Sequence, residues 1–589
     1  MNSLWKYLRP HLLMIVGVML IKLAGTALEL LIPYVMEHLI DNVVPREQFP
    51  LICLWGGCML VLAFLVRLLN VRANRLSVRI ARRCIYEIRR DLFHTALNLT
   101  GNQMDRVTLP SLISRMTSDT YNVQSFIQSI QTIGIRAPIM LIGGIAVTLS
   151  MDRGLALILC IMAPIMIVLV ILVSLYGIPL YNRVQQGMDQ IVRIMRENIS
   201  GIRVIKALSR EPYEIHRFSE TNEETARRDM RASITMAMPG PIVTLFLNIG
   251  LTLVVIVGAH RVNAGVTKPG VILAFLTYFN MILMGVMGLN RIFMMLSKAN
   301  TSAARIGEVL HLPEDLPVLP PEQGATTDHR GFIVFDHVTF SYDTDTPGSA
   351  SRSQARFAGE KRQNCLENID FTMQKGGSLG IIGATGSGKT SIIQLLMRFY
   401  DPTQGHVFID GQDVRTMEKD QLHRRFGVVF QNDALFAESI RENIVFGREV
   451  DDRQLDQALR DAMAHDFVSA YEDGVDHLSA IHGMNFSGGQ KQRLLIARAL
   501  AARPEILVLD DASSALDYRT DAHLRQAIRE HHGDSTLIVI AQRISSIMNM
   551  DEILMLEEGR LIGRGTHTQL LETCPAYREI YETQMGEVE

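Results

Sequence analysis

Six long apolar runs occupy the first 300 residues of the chain. They extend roughly over Leu12–Val35, Leu51–Val66, Ala137–Met151, Leu155–Leu175, Pro241–Ala259 and Val271–Leu296. A helix needs about 20 residues to cross the hydrocarbon core of a bilayer. We therefore expect the shorter second and third runs to continue into the amphipathic sequence around them. One such run could be a buried core helix, but six of them predict an all-α transmembrane domain with six helices.

The spacing of the runs predicts which side of the membrane each end faces. Short loops join the first run to the second, the third to the fourth and the fifth to the sixth, whereas about 70 and about 65 residues separate the other neighbours. The two long segments show helical periodicity and are rich in Arg and Lys, which mark the cytoplasmic side. We therefore expect long cytoplasmic extensions of the membrane helices, with both termini in the cytoplasm.

Polar and sulfur-containing residues inside the runs leave two interpretations open. The polar ones are Lys22, Glu29, Arg136, Asn248, Asn280 and Asn290, and the sixth run carries Met281, Met284, Met287, Met294 and Met295. Polar groups in a membrane bond to neighbouring helices or line an aqueous cavity. Met side chains either pack in the ordinary way or form a surface that accepts varied apolar ligands. The sequence does not decide between these alternatives.

Charge divides the chain in the same way as hydropathy. Residues 1–320 have a net charge of +11 and the remainder has −14, within a total of −3. This division predicts a membrane part joined to a soluble part. We expect no nucleic-acid binding, because the basic residues lie between apolar runs. The six cysteines show no framework spacing and are expected to be free thiols. Lys22 and Glu29 interrupt the first run and no small-residue cleavage site follows, so we expect this helix to be retained.

A segment rich in Pro and Gly follows the sixth run, and beyond it the chain carries a phosphate-binding motif. We assign residues 1–310 to the transmembrane domain, 311–330 to a linker and 331–589 to an α/β nucleotide-binding domain. Within SLGIIGATGSGKTS, a strand leads into a loop that starts a helix. Backbone N–H groups of such a loop cradle phosphates, Lys389 reaches the outer phosphates and Thr390 binds Mg²⁺. The predicted ATP-binding residues here are Gly383, Thr385, Gly386, Ser387, Gly388, Lys389, Thr390 and Ser391.

A second motif, NFSGGQKQR at residues 485–493, identifies a family when it is combined with the phosphate-binding loop and the apolar strand that ends at Asp510. Together they resemble the ATP-binding cassette (ABC) transporter family. The six runs with two long cytoplasmic segments are similar to the exporter-type membrane domain of that family. The resemblance therefore covers essentially the whole chain, which corresponds to a half-transporter.

The resemblance implies a role for several further residues. Tyr342 would stack on adenine, Gln431 would contact Mg²⁺ and the membrane-domain interface, and Asp510 would hold Mg²⁺ through water. A signature segment, made of Ser487, Gly488, Gly489 and Gln490, would close on a nucleotide held by another subunit, and Asp517 would cross the dimer interface. Coupling helices near residues 105–120 and 205–222 would press on the ATP-binding domains.

The chain departs from the family pattern at the residues closest to the chemistry. Asp511 and Gln542 occupy the catalytic positions where the family has Glu and His. Asp is shorter by one methylene, and a misplacement of about 1 Å can slow a reaction by about 10²-fold. Gln donates a hydrogen bond but cannot carry a proton as His does. In addition, residues 343–365 form a longer loop than is usual, which we expect to be mobile, and AIHGMNFSGG lacks the usual acidic residue before the signature segment.

These departures predict a slow ATP site beside an intact signature segment. We expect a subunit of a bacterial, multidrug-type exporter in the cell membrane, paired with a second half-transporter that carries Glu and His. Such an exporter would move lipophilic compounds or lipids out of the cytoplasm or the inner leaflet of the lipid bilayer. Two alternatives stay open: a homodimeric lipid or drug exporter, and a nucleotide-sensing regulatory subunit that does not pump. The sequence does not identify the transported substrate.

Overall fold

The structure, a computed structural model, describes residues 5–327, 330–342 and 364–586. The loop predicted at 343–365 therefore lies almost entirely outside the described residues. The chain forms two compact units, one of Met1–Asn98 with Val107–Leu312, and one of Leu99–Arg106 with Pro313–Glu589. The first is the membrane unit and the second is the ATPase unit, which includes a short segment from the first third of the chain.

Helices account for nearly all of the membrane unit. In chain order the helices up to residue 310 are α1 Trp5–Leu8, α2 Leu12–His38, α3 Phe49–Leu97, α4 Gly101–Val107, α5 Leu109–Ser114, α6 Thr120–Met151, α7 Arg153–Ser200, α8 Ile202–Ala207, α9 Glu211–Ala237, α10 Pro239–Asn263 and α11 Pro269–Leu310. Of these, α4 lies in the ATPase unit.

Six helical stretches among the described residues are long and apolar enough to cross a membrane, which confirms the six predicted spans. Several continue far beyond a bilayer: α3 has 49 residues, which corresponds to about 73 Å at the usual rise. The hydrocarbon core is only about 30 Å thick, so α3 extends well outside it. The Arg-rich segments are continuations of membrane helices, as the periodicity predicts.

Short helices interrupt the long ones around the positions predicted for the coupling helices. They are α4 at Gly101–Val107 and α8 at Ile202–Ala207, compared with the predicted 105–120 and 205–222. Gly201 ends α7, and its N–H donates to the carbonyl of Glu197 at 2.8 Å. Glycine favours helix ends, and the break between α7 and α8 lies at this residue. Pro and acidic residues in the first turn of α9 then begin the next long helix.

Three of the polar residues in the spans bond between helices. Lys22 is buried in α2 and its Nζ donates to Asn70 Oδ1 on α3 at 2.6 Å. Arg136 on α6 donates through Nη2 to Glu29 Oε1 on α2 at 2.7 Å. These contacts favour interhelical bonding over cavity lining for the three residues. By contrast, Asn280 bonds to the carbonyl of Leu276 within its own helix at 3.0 Å.

The ATPase unit contains two sheets. Its strands are β1 Ile333–Phe340, β2 Leu366–Met373, β3 Ser378–Gly383, β4 Gln404–Ile409, β5 Gln412–Asp413, β6 Phe426–Val429, β7 Ile506–Asp510, β8 Thr536–Ile540, β9 Glu552–Glu557 and β10 Arg560–Gly565. Strands β2, β1, β4 and β5 form an antiparallel sheet, and the second sheet has the order β10-β9-β3-β8-β7-β6. In the second sheet β9, β3, β8, β7 and β6 are parallel, and only β10 is antiparallel to its neighbour.

Helices cover the parallel sheet. They are α12 Lys389–Leu396, α13 Lys419–Arg424, α14 Ile440–Val445, α15 Asp452–Asp461, α16 His465–Ser469, α17 Gly488–Leu500, α18 Tyr518–His531, α19 His567–Thr573 and α20 Pro575–Met585. Strand β7, ILVLD, is buried along its whole length, as expected for a parallel strand covered on both faces. The α/β fold predicted from the phosphate-binding loop is confirmed, and its parallel strands bring their carboxyl ends to one edge, where ligands bind in such sheets.

Candidate nucleotide site

Three neighbouring strands bring the predicted ATP residues together. Strand β3 ends at Gly383, β7 at Asp510 and β8 at Ile540, two residues before Gln542. A cavity of about 270 Å³ opens at this edge. It is lined by Tyr342, Cys365, Thr385, Gly386, Gly388, Lys389, Thr390, Ser391, Gln431, Asp510, Asp511, Ile540, Ala541 and Gln542.

The phosphate-binding loop depends on two glycines with left-handed backbone. Gly386 has φ +85° and Gly388 has φ +96°, a region that side-chain-bearing residues rarely adopt. A Cβ on Gly388 would also lie 2.6 Å from Leu366 Cδ2. Lys389 folds over the loop and donates through Nζ to the carbonyls of Gly383 at 2.8 Å and Ala384 at 2.7 Å. The loop is thus compact, and the ammonium group of Lys389 is held against its carbonyls.

Two features of the cavity fit a bound nucleotide phosphate and a divalent cation. Ser387 is buried, and its Oγ has no hydrogen-bond partner among the residues that the structure describes. A buried hydroxyl left unpaired is costly, and a phosphate oxygen would satisfy it. Thr390 Oγ1 donates to Asp510 Oδ2 at 3.0 Å, which brings together two of the oxygen ligands that Mg²⁺ prefers.

Burial shifts the protonation of the charged groups in this cavity. It raises the pKa of Asp510, against the opposing hydrogen bond from Thr390, and lowers the pKa of Lys389, against the attraction of Asp510 and Asp511. A divalent cation and phosphates would favour the charged form of each group. The residues therefore fit ATP with Mg²⁺.

The two residues that depart from the family pattern face each other across the cavity. Gln542 Nε2 donates to Asp511 Oδ2 at 3.4 Å, a long and weak hydrogen bond. Asp511 has φ +53°, a conformation that Asp tolerates better than most residues. Burial raises the pKa of Asp511, while Lys389 and Arg543 oppose the shift. Asp511 therefore keeps some basicity, but its carboxylate is short and partly engaged by an amide that does not titrate.

Tyr342, which by resemblance would stack on adenine, lines this cavity. Its hydroxyl donates to Gln394 Oε1 at 2.6 Å and lies 2.7 Å from Ser391 Oγ, which can donate to it. Its ring contacts the ring of Tyr400 edge-on at a centroid distance of 5.2 Å. Tyr342 thus lines the cavity together with Cys365, whose Sγ lies 3.2 Å from Ser391 Oγ.

The signature segment does not line this cavity. Ser487 begins the 13-residue helix α17, where its Oγ accepts from the N–H of Gln490 and Gln490 Oε1 accepts from the N–H of Ser487. This reciprocal capping fixes the helix start. Ser487 and Gly488 are exposed, so the backbone donors of the segment are open to an anion from outside the unit.

A side chain that the sequence analysis missed connects the signature helix to the segment Ser514–Asp517. Gln492 Nε2 donates to Ser514 Oγ at 2.9 Å, and its Oε1 accepts from the N–H of Ala515 at 2.9 Å. Asp517 then caps α18, accepting from the N–H of Thr520 at 2.9 Å. Gln492 lies within the quoted motif, so its position was available from the sequence, but its partner was not.

Two further contacts near the site were also missed. Tyr400 donates to Asp105 Oδ2 on α4 at 2.9 Å, which links α4 to the aromatic group around Tyr342 inside the ATPase unit. Gln584 on α20 donates to the carbonyl of Gln542 at 2.7 Å and accepts from the N–H of Ile544 at 2.8 Å. No motif marks these residues, because each bonds to a partner distant in sequence.

Two protein families match the chain. Residues 14–287 match the family described as the ABC transporter transmembrane region, and residues 366–514 match the family described as ABC transporter. The two matches fall on the membrane helices and on the sheet that carries the nucleotide cavity.

Individual proteins match over nearly the whole chain. An uncharacterized ABC transporter ATP-binding protein of Bacillus subtilis is 32% identical over all of this chain and 99% of its own length. The ATP-dependent lipid A-core flippase of Idiomarina loihiensis is 28% identical over 98% of this chain and 97% of its own length. The structure of a bacterial Atm1-family ABC exporter with ATP bound aligns with a TM-score of 0.79, 22% identity and 99% coverage of both chains.

Proposed function

This chain belongs to the ABC transporter family, and we propose that it is the subunit of a heterodimeric exporter that carries the slower ATP site. Its membrane unit precedes an ATP-binding domain with the exporter fold, and the chain is an ATP-hydrolysing translocase of the membrane. The proposal concerns what the family alone leaves open: the partner, the unequal sites and the cargo. We also propose that the protein is bacterial and that both of its termini lie in the cytoplasm of the cell.

The observation that carries the proposal is the pair Asp511 and Gln542. Their side chains meet at 3.4 Å in the cavity that otherwise holds a full set of nucleotide ligands. ATP binding would rely on the loop, Lys389, Thr390 and Asp510, none of which is altered. Hydrolysis would rely on a carboxylate that positions water and on a group that contacts the outermost phosphate. The changes thus fall on hydrolysis and spare binding.

In this mechanism each side chain has a limited task. Loop N–H groups and the ammonium of Lys389 bind the phosphates, while Thr390 and Asp510 would hold Mg²⁺, which neutralises charge on the phosphates. Asp511 would accept a proton from the attacking water, from a position about 1 Å short of that of Glu. Gln542 would donate its amide N–H to the terminal phosphate or to Asp511, but would not exchange a proton. Turnover at this site is therefore slow.

The signature segment points to a partner. Ser487–Gln490 form a complete and exposed helix start, a place where backbone donors bind anions. The segment lies outside the cavity of its own unit, so it is available to a nucleotide bound by another subunit. A partner with Glu and His would combine with this segment to form a fast site, and the heterodimer would then contain one fast and one slow site.

The transported compound is proposed to be lipophilic. Many apolar side chains of the membrane unit are exposed, among them Leu13, Leu54, Leu60 and Phe64, as suits contact with lipid. Two similar proteins are described as lipid A-core flippases, at 28% and 30% identity. We propose lipids or drug-like compounds as cargo, moved out of the cytoplasm or the inner leaflet.

Co-purification tests the proposal. A tagged copy of this chain, isolated from its native membrane, is expected to bring down a second half-transporter whose equivalents of Asp511 and Gln542 are Glu and His. The co-purified complex is expected to hydrolyse ATP and to accumulate a lipophilic dye in inverted vesicles. Isolation of a homodimer that transports the dye at a comparable rate would contradict the heterodimer.

A homodimeric lipid exporter is the second candidate, because Asp511 keeps its carboxylate. Burial raises the pKa of this carboxyl, which makes it a better base than an exposed Asp. Under this alternative two copies would each hydrolyse ATP at a modest rate. The candidates differ in composition, since only the heterodimer contains a second polypeptide, and mass spectrometry of the intact complex distinguishes them.

A further inference from the structure

A second cavity lies in the membrane unit, between α2 and α3. Its volume is about 750 Å³, large enough for parts of a lipid. The apolar part of its lining consists of Met14, Gly17, Val18, Ile21, Leu76 and Ile80, and the polar part of His11, Arg79, Arg82 and Arg83. The cavity therefore joins an apolar wall to a cluster of cations, which is the arrangement an anionic amphiphile needs.

The three arginines of the cavity are available for a ligand. Arg79, Arg82 and Arg83 are exposed, and no ion pair to them occurs within residues 5–327, 330–342 and 364–586. Other arginines of α3 differ: Arg90 pairs with the adjacent Asp91 at 2.9 Å, and Arg89 donates to Thr120. Three adjacent unpaired guanidinium groups produce a strong positive field, and each can bind a phosphate through two N–H groups.

His11 provides an independent observation. It is about nine-tenths buried and lines the cavity, and its Nε2 has no hydrogen-bond partner in the described parts of the chain. The nearest carboxylate oxygen, Glu87 Oε1, is 3.8 Å away, beyond hydrogen-bond distance. A buried ring nitrogen left unpaired is costly, and an oxygen of a bound headgroup would satisfy it.

The cavity lies at the start of the first apolar run. His11 directly precedes the first apolar run, which starts at Leu12, and Met14 to Ile21 are its first turns. Further along the same end, Lys6 and Arg90 both contact Asp91, so charged groups continue outward from the cavity. The basic end of a membrane helix faces the cytoplasm, and the orientation used here is that of the proposed function.

The geometry points to a binding site for an anionic phospholipid of the inner leaflet. The phosphodiester contacts Arg79, Arg82 and Arg83, and an acyl chain follows the wall formed by Met14, Gly17 and Val18. Basic pockets between membrane helices on the cytoplasmic side bind anionic headgroups in this way. Bound there as a resident of the bilayer, this lipid would give the site a role beyond the proposed export activity.

Gly17 offers a way to test the apolar half of the site. A Cβ placed on Gly17 would meet nothing within 4 Å, so a larger side chain enters the cavity without striking the protein. Leu also has a higher helix propensity than Gly, and Gly17→Leu is therefore expected to fold normally. Filling the wall displaces one or two methylenes of the lipid, which is expected to weaken binding about tenfold.

Native mass spectrometry of the full-length protein, isolated with any partner it has, provides the measurement. The probes are mixed micelles with phosphatidylglycerol or with phosphatidylcholine, and inorganic phosphate alone. Wild type is expected to retain phosphatidylglycerol and neither of the other two. Arg79→Gln/Arg83→Gln is expected to weaken its binding roughly 30-fold, since each basic residue near the surface contributes a factor of about five.

Arg72→Gln/Arg75→Gln is the matched control, because it removes the same two charges from exposed positions of α3 that do not line the cavity. The control is expected to change binding less than twofold. Equal losses in the two double variants, equal binding of phosphatidylcholine, or wild-type binding by Gly17→Leu would each overturn the site. ATP hydrolysis is measured in parallel. Its result does not depend on whether the lipid site exists, so it tests the proposed function separately.

Discussion

The phosphate-binding cavity and the signature segment of the ATPase unit differ in how many of the family's residues they retain. The phosphate-binding half retains every ligand for ATP but has a short carboxylate and an amide at its reacting end, Asp511 and Gln542. The signature half has a complete reciprocal cap between Ser487 and Gln490 at an exposed helix start. Under the proposed function, one chain combines a site that binds ATP but hydrolyses it slowly with a signature half-site that is complete.

Under the proposed function, binding and hydrolysis depend on separate residues of one cavity. Lys389, Thr390 and Asp510 come from the start of α12 and the end of β7, whereas Asp511 and Gln542 follow the ends of β7 and β8. A substitution in the second group leaves the first in place. In the proposed heterodimer, the slow site would therefore keep nucleotide bound, while the complete signature segment would support turnover at the other site.

The largest effect is expected from Gly488→Asp in the complex of this chain with its partner. The change puts a carboxylate against the terminal phosphate of the fast site, where donors stabilise the developing charge. Steady-state phosphate release is expected to fall by about 10²-fold or more. Gly488→Ala is the matched control, because its Cβ would lie 3.6 Å from Ala515 Cβ, an ordinary contact. Equal losses in both variants would show a steric effect instead.

The second prediction restores the family residues, Glu and His, in the phosphate-binding half. Asp511→Glu/Gln542→His in this chain alone is expected to raise its ATP hydrolysis by up to about 10²-fold, because the carboxylate then reaches the water. The gain is reduced by strain, since Asp511 has φ +53°, which Glu tolerates less well. Phosphate release by the purified variant is the readout. A rate that stays at the wild-type level would disprove the assignment of these two residues.

Lys389→Ala tests the binding half. Removing a charged donor to phosphate typically costs about 1.5–3 kcal/mol, so ATP affinity at this site is expected to fall about 10- to 100-fold. Binding of a fluorescent ATP analogue to the purified chain measures it. Lys375→Ala is the control, since Lys375 lies over the ring of Phe332 and is not among the cavity residues. Unchanged affinity in Lys389→Ala would contradict the assigned phosphate site.

The smallest effect is expected from Asp511→Asn in the complex. In the proposed heterodimer this carboxylate serves only the slow site, so at least half of the steady-state rate should remain, well within the tenfold change that 1.4 kcal/mol represents. The same preparation and assay as for Gly488→Asp allow a direct ratio of the two. Loss of turnover in Asp511→Asn together with a tolerated Gly488→Asp would reverse the assignment of fast and slow sites.

Local sequence patterns were sufficient for the spans and for most of the nucleotide cavity. Apolar runs determine membrane helices directly, and the loop from Gly383 to Thr390 places its own ligands through strand and helix geometry. The sequence analysis named the signature segment but not its helix, although the reciprocal cap of Ser487 and Gln490 depends on residues only three positions apart. These features depend on contacts within a few residues.

Contacts over long sequence separations could not be predicted. Tyr400 and Asp105 are 295 positions apart, and nothing in either segment indicates the other. The same holds for Lys22 with Asn70 and for Gln584 with Gln542. The sequence did not show whether Lys22 lines a cavity or bonds to another helix, and only the packing of α2 against α3 shows the second. The sequence of a helix gives the face on which a polar residue lies, but it does not say which neighbouring helix or cavity that face contacts.

The rate of ATP hydrolysis by this chain alone tests the central claim most directly. Phosphate release is measured for the purified chain, with its oligomeric state verified, and for the co-purified complex under the same conditions. We expect the isolated chain to release phosphate at least an order of magnitude more slowly than the complex, because its carboxylate is misplaced. A verified homodimer that hydrolyses ATP as fast as the complex would contradict it.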